Sequence, residues 1–206
     1  MIPHRPRRSL LRVAVGALAL TAAGCATKRV ARIEPGAVTD LSGRWNDTDS
    51  RLVANQLVEQ TLSDGWAKRY TDSHGGEPPT VIVGTFANRT LEHIAVGTFT
   101  KDIEKALVST GAARVVASGD ERSELRGERK DQQENARADT RARQGQELGA
   151  RYLLAGELQA VEDVEGRERV VFYQVDASLI DLETNAKVWV GQHKIKKYIT
   201  RSAFGL

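Results

Sequence analysis

Several residue types that would narrow the class of this 206-residue chain are scarce. Cys25 is the only cysteine, so no disulfide forms within the chain, which excludes a small secreted domain held together by disulfide bonds. The four histidines have no close ligand spacing and no cysteine pair accompanies them, so a Cys/His metal site is not expected. Aromatic residues make up 5% of the chain, which leaves aliphatic side chains to fill most of the core.

A long hydrophobic run is also missing. The apolar stretch at residues 13–23 is shorter than the roughly 20 residues that a membrane-spanning helix needs. It follows a basic stretch at residues 5–12 and leads through small residues to Cys25. This order is typical of a secretory signal peptide and predicts cleavage before Cys25. An ordinary signal peptide with a chance cysteine is the alternative.

The sequence AAGC at residues 22–25 resembles the lipobox of bacterial lipoproteins, in which leucine usually stands where this chain has Ala22. The resemblance implies a diacylglyceryl thioether on Cys25 and an acyl chain on its amine. Each buried methylene contributes about 0.8 kcal/mol, so several chains hold a protein firmly to a membrane. Ala26 in place of aspartate implies the outer membrane, with the protein facing the periplasm. Residues 7–12 resemble a twin-arginine export signal, and a plain basic segment fits equally well.

The net charge of +3 comes from the segment before Cys25. Residues 1–24 carry four of the 30 basic side chains and no acidic one, so the remainder has 26 basic and 27 acidic side chains. A nearly neutral mature chain does not have the basic surface that nucleic-acid binding needs. We therefore expect no nucleic-acid partner.

We predict three parts along the chain. Residues 1–24 are the lipoprotein signal peptide, residues 25–46 are the lipidated Cys25 with a short flexible tether, and residues 47–206 are a globular periplasmic domain. At roughly 3.3 Å per residue, the tether stretches to no more than about 70 Å.

Hydrophobic periodicity predicts the elements of the domain. Helices are expected over about 49–68, between residue 90 and about 108, and over 119–149, and strands over 80–86, 113–117, 151–161, 169–182 and 187–199. Gly111 is placed to end the second helix, and fraying is expected near Gly127 in the third. Short connections predict antiparallel hairpins for the last three strands. The fold class is therefore α/β: a single domain with a mixed, mostly antiparallel sheet of about five strands and flanking helices.

No catalytic constellation is recognisable. Nucleophile-elbow, P-loop, zincin and dinucleotide-binding motifs are all missing, and lipidation removes the only thiol. Many carboxylates lie in the polar stretch at residues 119–149, with seven basic and eight acidic side chains, and solvated carboxylates rarely have the shifted pKa of a general acid or base. We predict that the chain is not an enzyme and uses no cofactor and no metal.

Three groups of polar residues are candidates for partner binding. They are Asn88, Arg89, Thr90 and His93 in a loop after a strand; Arg122, Arg126 and Arg129 on one helical face; and Lys194, Lys196 and Lys197 in the last strand. Each group has an alternative role: turn formation and helix capping for the first, intrahelical ion pairs for the second, and protection of an edge strand from aggregation for the third.

Six segments between residues 45 and 198 resemble the LpoB-type activators of penicillin-binding proteins, in the same order and behind a lipobox. They are VGTFANRT at 83–90, FTKDIEKALV at 99–108, RVVAS at 114–118, ERKDQQ at 128–133, FYQVD at 172–176 and KVWVG at 187–191.

This resemblance implies an outer-membrane lipoprotein with a domain like the N-terminal domain of TolB. It implies docking onto a class A penicillin-binding protein, which stimulates glycan-strand polymerisation and peptide cross-linking through binding and not through catalysis. It supplies no contact residues, so the three groups above stand on their own.

One feature departs from the family. Members known for this activation carry a long, proline-rich tether, whereas residues 25–46 hold one proline, Pro35. A non-enzymatic envelope-assembly or secretion accessory lipoprotein on the same fold is therefore the alternative function. A cell-wall hydrolase is a third hypothesis, disfavoured by the missing catalytic residues. The oligomeric state is left open.

Overall fold

The computed structural model describes residues 29–201. The predicted signal peptide and the lipidation site at Cys25 lie outside the described residues. Contacts divide the chain into two units, Met1–Ala37 and Val38–Leu206. The second unit contains every helix and strand of the described range.

Four helices and five strands make up the described part of the second unit. They are α1 (Asp47–Ser63), α2 (Trp66–Ser73), β1 (Thr80–Asn88), α3 (Gly97–Thr110), β2 (Arg114–Val116), α4 (Gly119–Asn135), β3 (Tyr152–Glu165), β4 (Glu168–Asp181) and β5 (Lys187–Thr200). The strands form one sheet in the order β2-β1-β3-β4-β5. β1 pairs in parallel with β2 and β3, and the long strands β3, β4 and β5 pair antiparallel. The predicted α/β fold with a mixed five-stranded sheet is confirmed.

The helix predicted over residues 49–68 is two helices in the structure. α1 begins with a capping box, in which the Asn46 side chain accepts from the Asp49 amide and the Asp49 carboxylate accepts from the Asn46 amide. It ends before Gly65, whose left-handed φ of 78° suits glycine. The turn lets α2 start with Trp66, whose side chain is buried.

One face of the sheet carries the core. Every second residue of β4 from Val171 to Leu179 is at most 2% exposed. α1 contacts β5 and α3, and α3 contacts β1 and β2, so these two helices cover this face. The opposite face of β4 is half-exposed, from Val170 to Ile180.

α3 follows the predicted pattern closely. Phe99, Ile103 and Leu107 lie at i, i+4 spacing and are at most 2% exposed. The helix ends at Gly111, which has a left-handed φ of 66° as the sequence predicts.

The polar stretch at residues 119–149 is helical only in its first part. α4 has no buried residue, and Gly127 lies inside it without interrupting it, so the predicted fraying is absent. Residues 136–149 are irregular, and the predicted helix is wrong there. These residues offer few apolar side chains for packing, and Gly145 has a left-handed φ of 70°.

The segment before α1 contacts the domain. Asp40 forms an ion pair with Lys197 of β5 at 2.8 Å. The predicted boundary between tether and domain at residue 46 stays a prediction.

Substitution of Gly156 in β3 tests how closely β4 and the Phe86 ring approach this glycine. A Cβ atom there would overlap the Asp176 carbonyl oxygen and the Phe86 ring. We expect Gly156→Ala to lower the free energy of unfolding by about 1–3 kcal/mol. At Gly127 a Cβ meets nothing, so Gly127→Ala should raise the free energy of unfolding by about 0.5–1 kcal/mol. Urea denaturation measures both, and equal effects of the two variants would contradict the described packing.

Candidate functional site

The loop between β1 and α3, residues 89–96, is fixed by its own polar side chains. The Asn88 side-chain oxygen accepts from the Thr90 amide at 3.0 Å and from the Thr90 hydroxyl at 2.8 Å. The Asn88 side-chain amide donates to the Glu92 carbonyl at 2.8 Å. These bonds give Asn88 and Thr90 the turn-forming role that the sequence leaves open as the alternative. Their predicted role in partner binding stays a prediction.

A carboxylate connects the loop to the sheet. Glu92 accepts a hydrogen bond from the Tyr173 hydroxyl at 2.7 Å and from the Trp45 amide at 3.2 Å, and Arg169 lies at 3.7 Å from the same carboxylate. We call Glu92, Tyr173, Trp45 and Arg169 the Glu92 cluster. Burial of Tyr173 and its bond to Glu92 raise the pKa of this phenol well above its usual range. The cluster therefore keeps the loop against β4.

Aromatic packing continues from this cluster into the core. Trp45 contacts the Tyr173 ring edge-on at 5.3 Å between centroids, and it lies 6.3 Å from Phe99 of α3. The Trp45 indole N–H donates to the Ser50 hydroxyl at 2.9 Å. Trp45 is thus a fixed point where the chain enters the domain.

The rigid loop presents three side chains to solvent. Leu91 is fully exposed, at 106% relative exposure, and His93 is also exposed. The Arg89 side chain is 67% exposed and lies 3.8 Å from Glu157 of β3, while the Arg89 backbone amide donates to the Leu158 carbonyl at 2.8 Å. We call Arg89, Leu91 and His93 the loop surface.

Sequence reasoning missed Leu91 and Glu92. A leucine just before a predicted helix looks like an ordinary core residue, and nothing local marks it as exposed. The partner of Glu92, Tyr173, is 81 positions away, so no spacing in the sequence indicates the bond. The signal that was available is the polar turn Asn88-Arg89-Thr90, which fixes the backbone on which Leu91 stands.

The α4 arginines bind the segment that follows the helix. Arg126 donates to Glu147 at 2.9 and 2.8 Å, and Arg129 donates to it at 2.6 Å. These bonds lower the pKa of Glu147 to about 2. Arg122 makes no ion pair with any residue of the described range. The arginine group is therefore largely engaged within the domain, with Glu147 as its partner and not a glutamate of α4.

The three lysines of β5 do not share one face. Lys194 and Lys196 are exposed, whereas the Lys197 side chain points to the opposite face of the sheet and is 11% exposed. Lys197 forms ion pairs with Asp40 at 2.8 Å and Asp49 at 2.7 Å. Burial opposes the charge of Lys197, but its bonds to Asp40 and Asp49 prevail and raise its pKa. Alternation along a strand separates Lys196 from Lys197, so grouping them by charge alone conflicts with their geometry.

The described residues contain neither a candidate metal site nor a helix suited to span a membrane. Among residues 29–201, no group of three or more histidine, cysteine, aspartate or glutamate side chains is placed to hold a metal ion. Within the same range, no helix is both long enough and apolar enough to cross a membrane.

The fold and the site define an α/β domain in which α1 and α3 cover one face of a single sheet and a loop held by polar side chains exposes Leu91. The family model described as peptidoglycan-synthase activator LpoB matches residues 49–195, well over half of the chain. The chain therefore belongs to the LpoB family of peptidoglycan-synthase activators, which are regulators and not catalysts. The predicted family is confirmed.

Three solved structures are similar to this chain. The C-terminal domain of LpoB from Escherichia coli is 18% identical, with coverage of 58% of this chain and 83% of that one and a TM-score of 0.36. The NMR structure of E. coli LpoB is 15% identical, with coverage of 98% and 90% and a TM-score of 0.38. The PelC dodecamer from Paraburkholderia phytofirmans is 24% identical, with coverage of 60% and 75% and a TM-score of 0.34. The comparison with curated proteins found no match.

A double-mutant cycle tests the bond between Glu92 and Tyr173. Glu92→Ala leaves the buried Tyr173 hydroxyl and the Trp45 amide without an acceptor, so we expect the free energy of unfolding to fall by about 1–3 kcal/mol. In the Tyr173→Phe background the loss should be smaller, with a coupling energy of at least about 0.5 kcal/mol. Glu134→Ala, on the exposed face of α4, is the matched control and should change little. Additive effects of the two substitutions would contradict the bond.

Proposed function

We propose that this chain is an outer-membrane lipoprotein, held by lipid on Cys25, that docks onto a class A penicillin-binding protein and stimulates its peptidoglycan synthesis. The family match over residues 49–195 is the observation that carries the proposal. The apolar stretch at residues 13–23 and the AAGC sequence that follows it support export and lipidation. The matched domain then works in the periplasm, where the synthase builds its product.

The loop surface is the part of the domain best suited to docking. A lone exposed leucine is ordinary on a protein surface. Leu91 differs because the Asn88 turn and the Glu92 cluster fix the backbone on both sides of it. A side chain held in place before binding loses little conformational entropy when it enters a pocket. Arg89 and His93 flank it and provide a polar rim.

The α4 arginines and the β5 lysines are less suited than the loop surface to be the main docking contact. Arg126 and Arg129 already share Glu147, and Lys197 already has two carboxylate partners, so docking through them would first have to break those pairs. Lys194 and Lys196 are free to steer a partner of opposite charge towards the domain. We therefore assign the main contact to the loop surface.

Activation by binding needs no catalytic group in this chain. A regulator raises the rate of an enzyme when it binds the active conformation more tightly than the inactive one. A tenfold rise in rate corresponds to about 1.4 kcal/mol of preferential binding. An interface centred on one buried apolar side chain supplies a free-energy difference of this size.

Glycan polymerisation by the cognate class A synthase tests the proposal. The mature chain, added to the purified synthase and its lipid-linked precursor, should raise the initial rate of polymerisation. Leu91→Ser should weaken binding by about tenfold or more, since hot-spot truncations cost over 1 kcal/mol. Its thermal stability should match that of the wild-type chain, because the Leu91 side chain is fully exposed.

Leu148→Ser is the matched control, since Leu148 is also exposed but lies on a different loop. It should bind and activate like the wild-type chain. No binding and no rate change with the wild-type chain would overturn the proposed function. Equal loss of binding in both leucine variants would overturn the assignment of the loop surface.

A further inference from the structure

Lys197 of β5 contacts α1 and the segment just before it, about 150 positions earlier in the chain. Its ammonium group lies 2.8 Å from the Asp40 carboxylate and 2.7 Å from the Asp49 carboxylate, and it donates to the Arg44 carbonyl at 3.0 Å. The Asp49 side chain is 4% exposed, whereas the Asp40 side chain is 46% exposed. The lysine thus has one buried partner in α1 and two partners in the segment that precedes this helix.

That segment is residues 38–44, which we call the strap; besides Lys197, Asn46 and one close contact at Gly43 hold it. It contains no helix or strand, and Leu41 within it is 94% exposed. The Asn46 side chain donates to the Asp40 carboxylate at 2.5 Å and to the Thr39 carbonyl at 3.5 Å. Gly43, with a left-handed φ of 69°, lies against Ile199 of β5.

Apart from the close contact between Gly43 and Ile199, the strap packs loosely on β5. A cleft of about 1040 Å³ lies between strap residues 40–44 and the end of β5 with the neighbouring Arg169. Segments with few apolar contacts and exposed polar bonds open locally at far lower cost than the core. The strap therefore opens more readily than any element of the sheet.

Separation of the strap from the domain stops at Trp45, because this residue is held by contacts of its own. Its ring packs on Tyr173 and Phe99, its amide donates to Glu92, and its indole donates to Ser50. None of these contacts involves Lys197 or the strap. Peeling of the strap stops at Trp45 and leaves the domain, with its ion pair between Lys197 and Asp49, intact.

We propose that the strap is a releasable length of tether: Lys197 stores it against β5, and its release lengthens the connection between Cys25 and the domain. Asp40 lies fifteen positions after Cys25, and Trp45 lies twenty positions after it. At roughly 3.3 Å per residue the maximum span rises from about 50 Å to about 66 Å. A partner beyond the shorter span selects the released form, because only that form reaches it. This consequence for reach rests on the lipid anchor of the proposed function.

Asp40→Ala tests the strap without disturbing the buried pair of Lys197 and Asp49. The mature chain is prepared without its lipid, so that Cys25 is the only thiol and carries an energy-transfer acceptor for the tryptophans. We expect lower transfer efficiency than in the wild-type chain. We also expect chymotryptic cleavage after Leu41, whose neighbours on both sides lie in the strap, to be about two- to fivefold faster, as for loss of one partly exposed ion pair. The thermal unfolding of the domain should not change.

Asp47→Ala is the matched control, because Asp47 is an exposed aspartate of α1 that pairs with Arg51 and lies outside the strap. Its cleavage rate and its energy-transfer efficiency should match those of the wild-type chain. Lys197→Met should accelerate cleavage after Leu41 at least as much as Asp40→Ala, and it should also lower thermal stability because Asp49 stays buried without a cation.

Wild-type rates of cleavage after Leu41 in both Asp40→Ala and Lys197→Met would overturn the proposal. Faster cleavage throughout the domain of Asp40→Ala would also overturn it, since the strap would then be part of the fold's stability. Both measurements use the chain alone. Their failure is therefore independent of the synthase assay, which tests the proposed function.

Discussion

The hydrogen bond between Glu92 and Tyr173 is the contact on which the position of the loop surface and of Trp45 depends. Tyr173 is fully buried in the middle of β4, and its hydroxyl reaches the carboxylate of a loop 81 positions earlier in the chain. The same carboxylate accepts from the Trp45 amide. One side chain therefore fixes the loop surface, the sheet and the entry point of the N-terminal segment relative to one another.

The energetics of buried polar groups explain why this arrangement persists. A buried phenol without an acceptor is costly, so the Tyr173 hydroxyl strongly favours the position of Glu92. Arg169 lies near the carboxylate and offsets its charge, at 3.7 Å. The bond to Tyr173 fixes Glu92, and the neighbouring Leu91 is thereby held with its side chain in solvent. Rigidity at the loop surface is a consequence of polar burial beneath it.

Lys197 also connects separate parts of the chain, but part of its contacts are exposed and therefore weaker. Its pair with the buried Asp49 joins β5 to α1, while its bonds to Asp40 and Arg44 hold a solvent-exposed segment. The two sets of contacts differ in burial. An exposed ion pair adds little stability, whereas breaking a buried pair costs more because it leaves a buried charge without a partner. The domain therefore has a firm interior and a loosely held N-terminal border.

Periodic patterns account for most of the fold that could be predicted. The i, i+4 spacing of Phe99, Ile103 and Leu107 indicates the buried face of α3, and short connections indicate the hairpins. The break between α1 and α2 escaped prediction, because the helical pattern continues past Gly65 and only its left-handed φ separates the two helices. Local signals dominate wherever the contacts are local.

The candidate site was less predictable because its contacts are distant in sequence. The polar turn from Asn88 to Thr90 is visible in the sequence, but the exposed Leu91 is not. Grouping lysines by charge placed Lys197 beside Lys196, although strand alternation sends them to opposite faces. Side chains whose partners are over a hundred positions away, as Asp40 is from Lys197, become interpretable only in the folded chain.

Site-specific photo-cross-linking tests the central claim, that the loop surface is where this domain meets a peptidoglycan synthase. A photoreactive amino acid at position 91 of the mature chain should cross-link to the cognate class A synthase. The same residue at position 148, on the loop after α4, should not. Cross-linking from position 148 and none from position 91 would contradict the account.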